Sequence, residues 1–200
     1  MELLLATANP AKAAEMARLL GGLPLTLRTR ADFPGLPDVD EDAATFVGNA
    51  IKKARALADA TGLMALADDS GLCVDALGGA PGVWSARYAG PGCTDADNNA
   101  RLLGALEGTP DAARTAHFVC VVAIARPGVA PVTFEGTCEG LIAPKAAGTA
   151  GFGYDPLFLI PEAGRTFAQM TADEKARISH RARAFAQARA WLARQLEPDR

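Results

Sequence analysis

A five-residue apolar run, Leu63-Met64-Ala65-Leu66-Ala67, leads straight into two adjacent carboxylates, Asp68 and Asp69, and then into Ser70-Gly71-Leu72. The run reads as a short buried strand, with Ser70-Gly71 as the turn that follows it. Two neighbouring acids at the end of a buried strand repel each other and lose solvation, so the fold must supply a cation or a proton. A hard dication with oxygen ligands, such as Mg²⁺, meets that need and brings phosphate with it. Taken alone, the stretch also suits an ordinary polar turn in which one Asp caps and the other is solvated.

A second constraint lies at the start of the chain. Glu2 to Ala6 reads as a strand that passes at once into Thr7-Ala8-Asn9-Pro10-Ala11-Lys12. Asn9 suits a helix N-cap and Pro10 the first helical position, and Ala13, Met16, Ala17 and Leu20 then recur at helical spacing. Such a junction aims free backbone N–H groups outward and is a natural phosphate site, to which Thr7, Asn9 and Lys12 add donors. A capped helix with a solvated Lys fits the same residues.

Leu25 to Leu27 suggests another strand, and Asp32 to Asp42 a loop collecting Asp38, Asp40, Glu41 and Asp42, a charge run that is solvated by default. The spacing predicts a long helix over Ala43 to Thr61. Phe46, Ala50, Ala54, Leu57 and Ala58 form its core side, while Thr45, Asn49 and Lys53 form a separate polar stripe. That stripe suits either an anionic ligand or a wet helix face. Beyond the acid pair, Cys73 to Leu77 reads as extended, and Thr94 caps a helix reaching Leu106. Ala116 to Ala125 and Val132 to Glu139 read as a hairpin with a longer loop, and His117 as a structural or exposed residue.

Gly148 to Pro156 is a Gly-rich loop ending in Phe152, Tyr154 and Asp155. Glycines let backbone approach a ligand, and an aromatic can stack on a base. Read alone, such a loop is slightly more often a turn whose Phe plugs the core. Thr171-Ala172-Asp173-Glu174 is a capping-box pattern opening a short helix with Lys175. Ser179 suits the N-cap of a final helix with Ile178, Ala182, Phe185, Ala188, Leu192 and Leu196 inward. His180 and Arg181 then fall in its first turn, where the helix dipole disfavours positive charge. They imply a partner there, an anion or a carbonyl-bearing ring.

Composition excludes several classes. Two hundred residues, half of them apolar, suit a single domain over residues 1–200, with room for two lobes and a sizeable core. The apolar runs are too short for a membrane span, and the first residues too short for a signal peptide. A net charge of −3 gives no basic field for a nucleic-acid polymer. Four separated cysteines without a CxxC pair, and two histidines, argue against zinc and suit reduced thiols in the cytoplasm.

Five stretches in order resemble the inosine triphosphate pyrophosphatase family, the dITP/XTP diphosphatases of nucleotide-pool cleansing. They are Thr7 to Lys12; Glu41 with Thr45-Phe46 and Asn49-Ala50 through Lys53-Ala54; Asp68 to Leu72 with Gly79 to Gly82 and Ser85 to Tyr88; Gly151 to Pro156; and Glu174-Lys175 with Ser179-His180-Arg181. Gly48 departs from the pattern, standing where an acid is common. The resemblance implies an α/β fold, a long twisted mixed β-sheet with flanking helices in two lobes around a central cleft. It implies hydrolysis of ITP, dITP, XTP or dXTP to the monophosphate and pyrophosphate.

By resemblance, Thr7, Ala8, Asn9, Pro10, Ala11 and Lys12 bind triphosphate, and Lys53 is a second phosphate-side cation. Glu41 and Asp69 hold Mg²⁺. Asp69 is also the proton acceptor for the attacking water, with Asp68 as its close support, although the residues themselves do not divide the two jobs between Asp68 and Asp69. Ser70 is a substrate contact. Phe152, Gly153, Tyr154 and Asp155 form a base-side loop with Phe152 stacked on the purine. Lys175, His180 and Arg181 read the 6-oxo edge. The resemblance also implies a homodimer. A non-catalytic nucleotide sensor would need the loops but not the acids.

Overall fold

The computed structural model describes residues 1–196. In chain order the elements are β1 (Glu2–Leu5), α1 (Pro10–Leu19), β2 (Thr26–Thr29), α2 (Phe46–Thr61), β3 (Met64–Val74), α3 (Asp95–Ala105), β4 (Thr115–Arg126), β5 (Val129–Ile142), β6 (Phe158–Ile160), β7 (Arg165–Thr166), α4 (Ala172–Ile178) and α5 (His180–Leu196). The described strands form one mixed seven-stranded sheet in the order β2-β1-β3-β4-β5-β6-β7. β1 is parallel to β2 and β3, whereas β6 is antiparallel to β5 and β7.

The chain divides into two compact units. The first comprises Met1–Asp69, Cys120–Gly136 and the chain from Arg181 onward; the second comprises Ser70–Val119 and Thr137–His180. In the first unit, Leu3, Leu4 and Leu5 are all buried, as expected of a parallel strand covered on both faces. Leu3 and Leu5 pack with Met16 of α1, Leu20 at its C-cap, Leu66 of β3, and Phe185, Ala188 and Leu192 of α5. These α5 residues recur at helical spacing and form its apolar stripe. Ile178 lies instead at the end of α4, packed on the core of the second unit. That core gathers Leu72, Leu102, Phe118, Cys138, Tyr154, Phe158 and Phe167.

Three further expectations change. No turn follows the acid pair: Asp68, Asp69, Ser70 and Gly71 all lie within β3, an unbroken strand of 11 residues. Ladder pairing and burial outweigh the local turn preference of Ser-Gly. Only Asp75–Leu77 leaves the strand, as a 3₁₀ turn. β4 and β5 are longer than their apolar runs, so Pro127-Gly128 alone joins them, with Gly128 at φ 71°. α2 begins at Phe46 rather than Ala43, because the Thr45 side chain accepts the Gly48 N–H and caps it.

Candidate active site

The first unit builds its polar centre on β3. Successive strand side chains alternate between faces, so Asp68 and Asp69 take different partners. Asp69 faces α2. Its Oδ1 lies 3.0 Å from Lys53 Nζ, and its Oδ2 accepts from Asn49 Nδ2 at 3.1 Å. Lys53 Nζ also donates to Glu41 Oε1 at 3.0 Å. Asn49 is fully buried and its Oδ1 accepts the Ala43 N–H, which fixes the chain between Glu41 and α2. The Asn49–Lys53 stripe is therefore buried machinery, not a wet helix face, whereas Thr45 serves as the cap. Elsewhere in the acidic loop the default holds: Asp38 pairs with Arg30, and Asp42 with Lys52, at the surface.

Asp68 meets Arg181. Nε and Nη2 of Arg181 reach its Oδ2 at 3.1 and 3.0 Å, and Nη1 reaches Glu15 Oε2 at 3.0 Å. Lys12 Nζ stands 3.9 Å from Asp68 Oδ1. Burial works against the Arg181 charge, but Asp68, followed by Cys120 and Glu15, more than restores it, so the guanidinium is firmly cationic. The partner expected at the start of α5 is thus an anion, the carboxylate of Asp68.

Four carboxylates and three cations meet here, and burial and pairing shift them in different directions. Burial, followed by repulsion from Glu41, raises the Asp69 carboxyl above its ordinary range despite Lys53 and Asn49. Burial also pushes Glu41 upward, but Lys53 outweighs it and leaves Glu41 below its ordinary range. Lys53 stays charged because Asp69, Glu41 and Asp68 overcome its own desolvation.

Thr7 to Lys12 form the outer loop of this unit. Thr7 Oγ1 accepts the Asn9 N–H at 3.2 Å, and Asn9 Oδ1 accepts the Ala11 and Lys12 N–H groups at 2.9 and 3.2 Å. The backbone donors expected to be free are held by the loop's own side chains. The loop is folded in advance, and Ala8 to Ala11 remain exposed.

Glu41 and Asp69 are the residues that fit a metal. Both converge on the single Lys53 ammonium, so their oxygens border one small volume that already accommodates positive charge. Among the described residues, no three His, Cys, Asp or Glu side chains gather around one point. Two carboxylates completed by water and substrate phosphates are the usual donor set for Mg²⁺.

The second unit carries the other predicted residues. Asp155 is buried; its Oδ2 accepts the Phe152 N–H at 3.0 Å and pairs with Lys175 Nζ at 2.5 Å. Gly151, at φ 80°, must be glycine, since a Cβ there would collide with that carboxylate. Lys175 Nζ lies 5.3 Å from the Phe152 ring centre and 5.1 Å from that of Phe167. The core plug is Tyr154, not Phe152. Tyr154 donates its hydroxyl to the Ser85 carbonyl at 2.9 Å and is buried among apolar side chains, while Phe152 stays half-exposed. The His180 ring stacks on Phe118 at 4.6 Å, and Ser70 is half-buried in β3.

Residues 3–191 match the model of the Ham1 family. The chain belongs to the Ham1 family. Relatives in it include a dITP/XTP pyrophosphatase of Geobacter sulfurreducens, 52% identical over 184 residues and 92% of each chain. Another dITP/XTP pyrophosphatase, of Desulforamulus reducens, is 52% identical over 194 residues, covering 97% of this chain and 96% of its own. Among solved structures, a HAM1 protein of Coxiella burnetii superposes with a TM-score of 0.90 at 45% identity, covering 97% of this chain and 99% of its own. The Staphylococcus aureus Ham1 protein gives 0.88 at 37% identity, with 98% and 100% covered.

Within this Ham1 chain, Glu15 and Cys120 join the site without having been singled out in the sequence. Glu15 stands three residues after Lys12, on the same helix face, which is a usable signal. Cys120, whose Sγ lies 4.0 Å from Asp68 Oδ2, sits in an apolar strand and gives none.

Proposed function

We propose that this protein hydrolyses non-standard purine nucleoside triphosphates, ITP or dITP and XTP or dXTP, to the monophosphate and pyrophosphate. The observation that carries this reading is the Lys53 ammonium held between Glu41 and Asp69, in the same unit as the prefolded Thr7–Lys12 loop. The names of the Geobacter and Desulforamulus relatives support the substrate class.

The substrate brings about four negative charges. Lys12, Lys53 and the N-terminus of α1 offset them, with Asn9 Nδ2 and Thr7 as further donors. Glu41 and Asp69 hold Mg²⁺, which when bound supplies positive charge for the departing pyrophosphate. Asp69, held by Lys53 and Asn49, takes the role of orienting water and accepting its proton during attack on the α-phosphorus. Asp68 supports that arrangement through its pairs with Arg181 and Lys12, and Ser70 follows directly as a substrate contact. Arg181 thus acts through Asp68.

Base choice falls to the second unit. Phe152 offers a half-exposed ring for stacking, and Lys175 beside it is a donor matched to a 6-oxo group. His180 belongs to the same group. Adenine presents an amino donor at that position, and a buried donor left unpaired costs about 1–3 kcal/mol, on the order of 10- to 100-fold per contact. A cytoplasmic setting, supported by four free thiols, and the homodimer implied by the family resemblance complete the reading.

The test is pyrophosphate release with Mg²⁺ from ITP, XTP, GTP, ATP and TTP, in parallel with Asp69→Asn. Release from ITP and XTP, lost in the variant, is the expected result. Equal rates on all five nucleotides, or release that survives the variant, would overturn it.

A further inference from the structure

The base-side loop is gripped from outside itself. Asp95 Oδ2 accepts the Gly153 N–H at 2.6 Å, and Asn99 Nδ2 donates to the Gly153 carbonyl at 2.9 Å. These bonds reach across 58 and 54 positions of sequence. Asp95 and Asn99 stand four apart on α3, so they share a face one turn apart. Gly153 takes the left-handed conformation at φ 61°. Both of its backbone polar groups are claimed by one helix.

Helix capping does not account for Asp95. The N-terminus of α3 already has a complete capping box, in which Thr94 and Asp97 each accept the other's N–H. Nor is Asn99 a duplicate of its neighbour. Asn98 accepts the Ala89 N–H at 2.8 Å and donates to the Ala86 carbonyl at 3.2 Å, so adjacent amides hold different segments. On the other side of the peptide, the Phe152 N–H is held by Asp155. Consecutive N–H groups, at 152 and 153, are therefore anchored by two different carboxylates. The Phe152 ring projects from the backbone between these anchors.

We propose that Asp95 and Asn99 are positioning residues for the base-side loop: by holding both polar groups of Gly153 they set where Phe152 presents its ring, and so govern KM and base selectivity. This rests on the reading of Phe152 to Asp155 as the base-side loop. The phosphate-side residues all lie in the other unit, so the clamp acts on nucleoside affinity and not on cleavage.

The experiment uses the full chain with Asp95→Ala, Asn99→Ala and the conservative Asp95→Asn. Steady-state pyrophosphate release from ITP and ATP is measured, together with inhibition by inorganic tripolyphosphate, which has no base, and the urea midpoint. Each Ala variant is expected to raise KM for ITP about tenfold. The ITP-over-ATP preference should narrow, while kcat and the tripolyphosphate inhibition constant stay at their wild-type values. Asp95→Asn keeps an acceptor oxygen and should restore KM. Unchanged KM in both Ala variants would overturn the proposal. So would equal losses of affinity for ITP and tripolyphosphate, or a collapse of the urea midpoint, since either makes the clamp a general stability element. Wild-type protein that releases no pyrophosphate from ITP would instead defeat the base-side reading beneath it.

Discussion

Arg181 places two nitrogens, Nε and Nη2, on the same oxygen of Asp68, at 3.1 and 3.0 Å. Both residues are almost fully buried, so neither charge has water to fall back on. Arg181→Ala should destabilise the fold by about 3–5 kcal/mol, the usual result of orphaning a buried carboxylate. Arg181→Lys should recover only part of this, because an ammonium cannot reach both Asp68 and Glu15 as a planar fork does. Urea unfolding of the two variants measures both effects. An Arg181→Ala protein as stable as wild type would refute the counterion role.

Asp69 has a different dependence. Lys53 keeps Glu41 as a partner when the Asp69 charge is removed, so Asp69→Asn should retain its fold. Its pyrophosphate release should fall on the order of 100-fold or more. Circular dichroism and turnover, measured on one preparation, separate the two outcomes.

Glu41 should control the metal requirement. Removing Mg²⁺ with a chelator should abolish turnover, and adding it back should restore it. Glu41→Gln should raise the half-saturating Mg²⁺ concentration by about tenfold or more, while activity at saturating metal is largely kept. A metal titration of rate in both proteins checks this.

Glu174 offers a pH signature. Its carboxylate accepts from Arg165 and then from the Thr171 N–H, and these bonds hold its pKa at about 2 against an ordinary 4.5. A carboxyl depressed in the folded state adds stability that is complete above its unfolded pKa and is lost as pH falls toward the folded one. The capping of α4 should weaken from about pH 4.5 down to about 2. Urea midpoints against pH should therefore fall less steeply across that window in Glu174→Gln than in wild type.

Much of this was legible in the residues. The Asn9-Pro10 start of α1 and the Thr171 capping box follow from local rules, whereas the ordered motifs single out Glu41, Lys53 and Asp69 without pairing them. Less legible was the course of the chain at Ser70-Gly71, where sheet pairing overrides a local turn signal. Burial of Asn49 and Lys53 was open from spacing alone, because a polar stripe looks the same whether it faces water or a buried acid. Arg181 carried a usable warning, a cation at the wrong end of a helix dipole, but not the identity of its anion. Asp95 and Asn99 look like any helix surface, since their target lies more than fifty positions away.

β3 runs unbroken through the two acids, and this has a consequence for descent. Loops accept insertions and deletions readily, so sites built on loops drift in length among relatives. Here one residue gained or lost upstream within β3 would turn every later side chain to the opposite face, handing Asp68 to Lys53 and Asp69 to Arg181. Lineages can vary the lengths around these carboxylates, but within this strand their chemistry is inherited together with the register of the sheet.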